Sequence, residues 1–243
     1  MGVVERTWDE YWGVYNSSAE WDDQSEIIYR FIRREYTQDR MRVLEVGSGT
    51  GRISATIGRD GHDVYLVDMS PNAFRISRDI FSRLGQAGRF IRATAFQLPF
   101  LSRTFDLVWS AGLLEHFSHN QQRAIVNEMA RITRARGRIL VIVPNRRAIV
   151  YDLARRISMR LGTWPYGPEQ PLCAEDLRSL GFQHISSGGR YYQLNFLDLL
   201  PKAKRIIPNV VGRVRLALGD AYFDTKGSFG YLLCGSVSRD RLL

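Results

Sequence analysis

Five short apolar runs recur at intervals along the first 145 residues: MRVLEV (41–46), DVYLVD (63–68), RFIRATA (89–95), FDLVWSA (105–111) and GRILVIV (137–143). Each is too short for a core helix and rich in β-branched residues, so each reads as a strand. Between them lie helical patterns at Arg52–Arg59, at SPNAFRISRDIFSRL and at Asn120–Thr133. In the second of these, Ser70 is placed as N-cap and Pro71 at the first helical position. Strands with no polar face must be covered on both sides, and helices packed on a parallel sheet provide that cover. Right-handed crossovers then give a doubly wound α/β fold, whose ligands sit at the carboxyl ends of the strands.

The flanking regions read as additions to this one unit. The first forty residues are helical in pattern, with Trp8, Tyr11, Trp12 and Tyr15 at spacings of three and four and a second stripe of Ile27, Ile28, Phe31 and Ile32. Residues 145–171 form a long connection with a basic amphipathic helix, its apolar side expected to be Ile149, Leu153, Ile157 and Leu161. CAEDLRSLGF reads as a short helix, and HISSGGRYYQ and FGYLLCGSVSRD as two late strands. Between those strands, residues 201–217 mix Lys202, Lys204, Arg205, Arg213 and Arg215 with aliphatics, which suits either an amphipathic cover or contact with an anionic membrane.

Two cysteines far apart, Cys173 and Cys234, fit a reducing, cytoplasmic setting and no disulfide framework. The start lacks the order of a signal peptide, and no run reaches the ~20 apolar residues of a membrane span. The net charge of +9 comes almost wholly from arginine. It steers acidic partners in one reading and reflects only base composition and solubility in the other.

The stretch VLEVGSGTG (43–51) follows the first strand directly. Gly47, Gly49 and Gly51 allow backbone to approach a ligand closely, and the helix behind them offers free amides. A dinucleotide loop of GxGxxG spacing needs glycine at 52, where Arg52 stands, and no lysine completes a phosphate-cradling loop. Asp68, closing the second strand, is placed to accept from ribose hydroxyls. Glu45 at the loop mouth opposes a pyrophosphate and suits a cationic group. These residues point to a nucleoside with a zwitterionic tail, and S-adenosylmethionine meets that description.

In these motifs the chain resembles the class I S-adenosylmethionine-dependent methyltransferases, particularly the small-molecule group related to quinone-pathway enzymes. VLEVGSGTG matches their first motif, VYLVDMS the second, and LPFLSRTFDLVWSAGLLEHF the third and fourth run together. MARITRARGRILVIVPN matches the segment before their fifth strand. The resemblance implies a Rossmann-like, mostly parallel seven-stranded sheet with an N-terminal helical lid (1–40), a cofactor core (41–145) and acceptor-side insertions (146–243). It implies that Gly47, Ser48, Gly49 and Gly51 line the methionine part of S-adenosylmethionine, that Asp68 holds the ribose and that Met69 packs on the adenine. Ala95 and Phe96 are implied beside the ring, and Ser110 and Ala111 at the amino-acid tail. Thr94 stands where the family usually has an aspartate, and Ala135, Arg136 and Gly137 replace the usual turn before the fifth strand.

Methyl transfer needs alignment and exclusion of water before anything else. His116, in LLEHF, is the candidate catalytic residue, as a base or acceptor-orienting group, with plain packing at a helix start as the other reading. Glu115 reads as structural or solvated, and His119 as a surface cap. For Glu45 a supporting role, bonded to loop amides, stands beside direct contact. Tyr11 and Tyr15, one helical turn apart, read as a face of the lid or as core. WPYGPEQP (164–171) shapes a pocket or forms an ordered surface loop, and no acidic or histidine cluster suggests a metal. The expected partner is a small-molecule acceptor, with the protein a monomer or homodimer. A nucleic-acid acceptor is disfavoured because the signature of base-amino methylation is missing, and a non-catalytic cofactor-binding protein is disfavoured by the intact glycine loop.

Overall fold

The computed structural model describes residues 3–14, 21–189, 223–224 and 230–242, with backbone alone at 3–7 and 223–224. Its centre is an open sheet of order β3-β2-β1-β4-β5-β8-β6-β7. Strands β1 (Arg42–Val46), β2 (Asp63–Asp68), β3 (Arg89–Arg92), β4 (Phe105–Ala111) and β5 (Thr133–Pro144) are mutually parallel. β6 (His184–Gly188) and β8 (Leu232–Ser238) close the other side, β8 antiparallel to both of its neighbours. β7 (Phe223–Asp224) adds a two-residue edge pairing to an otherwise seven-stranded, doubly wound sheet.

Helices cover both faces, as strands without a polar side require. Because side chains alternate along a strand, neighbours in one strand join different cores. Val43, Leu66, Leu107, Trp109, Leu140 and Ile142 pack on one face, beneath α2 (Asp23–Arg33), α3 (Arg52–Arg59), α4 (Pro71–Arg83) and α6 (Ile149–Arg160). Leu44, Val67, Val108, Val141 and Val143 pack on the other, beneath α5 (His119–Ile132) and α7 (Ala174–Ser179). A terminal helix, α8 (Arg239–Leu242), follows β8, and α1 (Val3–Val14) lies against α4.

Local sequence explains the helix starts. Asp22 accepts the Ser25 amide at 2.7 Å and opens α2, whose Ile27, Ile28, Phe31 and Ile32 are buried as their spacing predicts. Ser70 accepts the Ala73 amide at 3.1 Å and opens α4 with Pro71 behind it. At α5 the expectation shifts by one residue. The Ser118 amide is satisfied by Gln121 at 3.0 Å, so Ser118 is the cap and His119 begins the helix, beside Arg123.

Two other expectations change. β3 ends at Arg92, and residues 93–95 of the expected strand turn into the wall of the central cavity. The apolar side read for α6 faces outward: Ile149, Leu153 and Leu161 are 67%, 56% and 53% exposed, whereas Tyr151, Ala154 and Ser158 are buried. The helix carries two stripes, and packing selects the one whose tyrosine reaches a buried acid. Cys173 and Cys234 are both free and buried. No helix among the described residues is long and apolar enough to cross a membrane. The basic 201–217 segment falls outside the described residues.

Glu35, just past α2, binds across the sheet. It accepts from Arg138 Nε of β5 at 2.5 Å and from Ser236 Oγ of β8 at 2.8 Å, so one carboxylate ties the N-terminal region to two strands. Both ends of the ion pair are largely shielded, with side-chain exposures of 22% for Arg138 and 16% for Glu35. Glu35→Ala therefore leaves a shielded guanidinium without its partner and is expected to lower stability by ~2 kcal/mol. Urea unfolding would register this as a lower midpoint at unchanged slope.

Candidate functional site

The carboxyl ends of β1, β2 and β4 and the loop after β3 meet at a cavity of about 640 Å³. The glycine loop forms its floor. Gly47, Gly49 and Gly51 all have left-handed φ, at 72°, 50° and 61°. Space is as restricted as the backbone: a Cβ on Gly49 would stand 2.7 Å from the Trp12 ring, and one on Gly51 would stand 2.4 Å from Leu66 Cδ2. The amides of Gly47 and Ser48 bond to Val67 O at 2.8 and 3.0 Å, which locks the loop to β2. Ser48 Oγ is buried with no hydrogen-bond partner, a polar group waiting for one.

Asp68 lies where its position at the end of β2 requires. One oxygen accepts the Gly49 amide at 2.8 Å and the other the Ser70 amide at 2.9 Å. A carboxylate has about four acceptor sites, so these two bonds orient Asp68 without exhausting it. Burial raises its pKa against the pull of those amides. Glu45, 5% exposed, accepts from Ser54 Oγ at 2.6 Å. Its anchor is thus the following helix and not the loop amides, and burial pushes its pKa well above the carboxylate range.

Met69, Thr94, Ala95, Phe96 and Ala111 also line the cavity. Thr94 Oγ1 accepts the Phe96 amide at 3.3 Å, and Phe96 meets Phe117 edge-on at 5.3 Å. Ser110 does not reach the wall. It is 1% exposed in the middle of the sheet, paired with Val141, and strand alternation gives the cavity to Ala111 instead.

Helix α1 closes one side. Asp9 accepts from Ser70 Oγ at 2.5 Å and from the Asn72 amide at 3.2 Å, and its own carbonyl accepts from Asn72 Nδ2. This contact presents Trp8, Tyr11 and Trp12 to the cavity. Tyr15, its expected companion, lies outside the described residues. Trp8 meets the His116 ring edge-on at 4.9 Å, and Tyr11 lies 6.1 Å from Tyr166.

The far chamber holds a cluster that the sequence reading missed. A 3-10 turn (Leu114–His116) brings Glu115 and His116 to the wall, and WPYGPEQP supplies Trp164, Tyr166 and Glu169. One potential ligand atom each from Glu115, His116 and Glu169 lies within 4.8 Å of the others, so the expectation of no acidic or histidine cluster is corrected. Glu115 is not solvated either. It is 2% exposed, its Oε2 has no partner, and burial pushes its pKa up to about 8. Glu169, 8% exposed, accepts from the Tyr151 hydroxyl, and burial raises it to about 7. Burial lowers the pKa of His116, whose Nδ1 lies 2.9 Å from Pro168 O. The elements meet here only through tertiary structure. The one readable signal was the aromatic, proline-rich composition of 164–171.

Among the described residues, Asp22, Glu45, Asp68, Glu115 and Glu169 line this cavity against Arg52 as the sole guanidinium, within a chain of net charge +9. The arrangement suits a ligand carrying positive charge and repels a pyrophosphate.

Residues 43–137 match the family described as a methyltransferase domain. An uncharacterized protein of Methanocaldococcus jannaschii is 27% identical over 186 residues, covering 76% of this chain and 71% of that one. The ubiquinone/menaquinone biosynthesis C-methyltransferase of Pseudomonas putida strain F1 is 32% identical over 106 residues, covering 42% of this chain and 41% of that enzyme. The chain thus spans about two fifths of that relative's length. The crystal structure of a Thermotoga maritima S-adenosylmethionine-dependent methyltransferase shares the fold, with a TM-score of 0.64 over 96% of this chain and 99% of its own, at 15% identity.

The attachment of α1 is testable. Its hydrogen bond with Ser70 lowers the Asp9 pKa below the usual aspartate range. A depressed folded-state pKa means that this contact is present above the ordinary aspartate pKa and lost as pH falls through the lowered value. Asp9→Ala is expected to speed amide exchange in residues 8–14 about tenfold at neutral pH without lowering protection of β1. Wild-type protein should show the same selective loosening only under strong acid.

Proposed function

We propose that the chain, whose residues 43–137 match a methyltransferase domain, is an S-adenosylmethionine-dependent methyltransferase that moves a methyl group from that cofactor to a small-molecule acceptor. The cofactor, when bound, supplies a methyl activated by a sulfonium. Transfer would form the bond from methyl carbon to acceptor as the carbon–sulfur bond breaks, the electron pair passing to sulfur and any proton on the acceptor atom leaving to solvent.

The observation that carries this reading is the Asp68 carboxylate, held by two backbone amides at the cavity edge beside a glycine floor that excludes any side chain. The residues present fit the group. Asp68 would take the ribose hydroxyls, and the unpartnered Ser48 hydroxyl with the glycine loop would take the methionine part. Met69, Thr94, Ala95 and Phe96 would enclose the adenine, with Ala111 at the amino-acid tail and Glu45 behind the loop. Ser110, inside the sheet, would act only by shaping the strand.

The remaining volume belongs to the acceptor. Trp8, Tyr11, Trp164 and Tyr166 offer ring faces and edges that suit a flat or ring-bearing molecule, such as a quinone or an aromatic natural product. Tyr11 and its helix would act as the lid that excludes water. His116, between Trp8 and Pro168, would orient the acceptor. The acidic lining of the cavity disfavours a polyanionic acceptor such as nucleic acid.

Calorimetry with S-adenosylhomocysteine tests the donor half. We expect one site per chain, with Asp68→Asn weakening binding by about 10- to 100-fold, the scale of a hydrogen bond to a charged group. Absence of binding to folded wild-type protein at millimolar ligand would overturn the reading. His116→Ala should leave this affinity unchanged and lower methyl transfer to an aromatic acceptor panel at least ~10-fold.

A further inference from the structure

We propose that Glu115, His116 and Glu169 form a divalent-cation site in the acceptor chamber, with open coordination positions facing the cavity. The cluster combines two carboxylates and an imidazole, one ligand atom from each lying within 4.8 Å of the others. Ligands bound at about 2.1 Å to a common ion stand roughly 3–4 Å apart, so a side-chain movement of about an ångström closes the set.

The second observation is the state of Glu115. Its side chain is buried, and Oε2 has no hydrogen-bond partner. A buried carboxylate oxygen is costly to leave bare. Among the described residues, neither Glu115 nor Glu169 has an ion pair. The nearby Arg155 pairs with Asp152 at 2.9 Å and donates to the main-chain carbonyl of Glu169, and its charge offsets only part of the burial that raises the Glu169 pKa.

The supports around the cluster suit a metal. The Pro168 carbonyl can only accept, so His116 Nδ1 carries the proton and Nε2 the lone pair, the tautomer that a carbonyl-anchored metal ligand adopts. Tyr151 donates to one Glu169 oxygen, orienting that carboxylate. The Gln170 amide bonds to Glu115 O at 2.7 Å, which pins the two ligand-bearing segments together.

The mixed nitrogen and oxygen set favours Mn²⁺, Fe²⁺ or Zn²⁺ over calcium, which prefers oxygen throughout. Three protein ligands leave positions for an acceptor. The site therefore selects acceptors with an oxygen to coordinate, such as a ring hydroxyl, and this last step rests on the methyltransferase reading above.

The test is titration of chelator-stripped full-length protein with Mn²⁺, following free ion by electron paramagnetic resonance, with Zn²⁺ as competitor. We expect one Mn²⁺ per chain, displaced by Zn²⁺, and at least ~10-fold weaker binding in Glu115→Gln and in Glu169→Gln. S-Adenosylhomocysteine binding in the same samples reports that each variant is folded. Wild-type protein that binds S-adenosylhomocysteine but no Mn²⁺ or Zn²⁺ would overturn the cation site and leave the donor reading intact. So would Mn²⁺ binding indifferent to both substitutions, or a chamber that takes tetramethylammonium and no metal. Mn²⁺ binding without S-adenosylhomocysteine binding would support the cation site while removing its assigned role in methyl transfer.

Discussion

The site depends on one carboxylate. Asp68 accepts from Gly49 on one side and Ser70 on the other, joining the glycine loop to the start of α4. Ser70 in turn donates to Asp9, and through it α1 is held over the cavity. Glycine floor, Asp68 and α1 are thus one hydrogen-bonded series. The series exists because parallel strands end together, so the loops that follow them must share one edge of the sheet. Its members cannot relax independently: the loop needs three left-handed glycines, and Trp12 occupies the space that a side chain at Gly49 would need.

Charge is distributed against the grain of the whole chain. A protein of net charge +9 concentrates acids in its cavity, where burial raises the pKa of Glu45, Asp68, Glu115 and Glu169 alike. Raised carboxylate pKa values mean that the charged form is disfavoured until something compensates it. A bound cation would do so with little rearrangement, because Glu45, Asp68 and Glu169 are already oriented by Ser54, by backbone amides and by Tyr151. An anionic ligand would worsen every one of these positions. The surface arginines belong to a different problem: many pair locally, as Arg83 with Asp79 and Arg156 with Asp152 do.

The glycine-loop side of the cavity was legible in the sequence because its residues lie within a few positions of strand ends. Gly47, Gly49, Gly51 and Asp68 could be placed by counting along strands whose apolar runs are unmistakable. Ser110 failed that count by one residue, the error to which a period of two is most sensitive. The wall formed by Glu115 and Glu169 was not legible in this way. Glu115 looks like a solvent-facing residue of a short turn, and Glu169 sits 54 positions later in an irregular loop. Only the docking of that loop brings them together, and local periodicity has nothing to say about docking. The same blindness explains α6, where two apolar stripes were available and tertiary packing used the less obvious one.

The short turn after β4 shows why the two halves of the site diverge in this manner. Its Glu115 carbonyl accepts Gln170, its His116 ring bonds Pro168, and its Leu114 carbonyl is held by Gln122 of α5. A segment so pinned keeps Glu115 buried even though nothing within the segment neutralises it. Buried acids held in place without counter-charges destabilise a fold, and structures retain such arrangements where a ligand completes them. Glu45 and Asp68, beside the glycine loop, are buried acids of this kind, each with protein hydrogen bonds as partial compensation. Glu115 has less, since one of its oxygens has no partner at all. Burial holds Glu115 in its protonated form up to about pH 8, so of the cavity acids it is the one whose ionised form would gain most from a cation placed beside it.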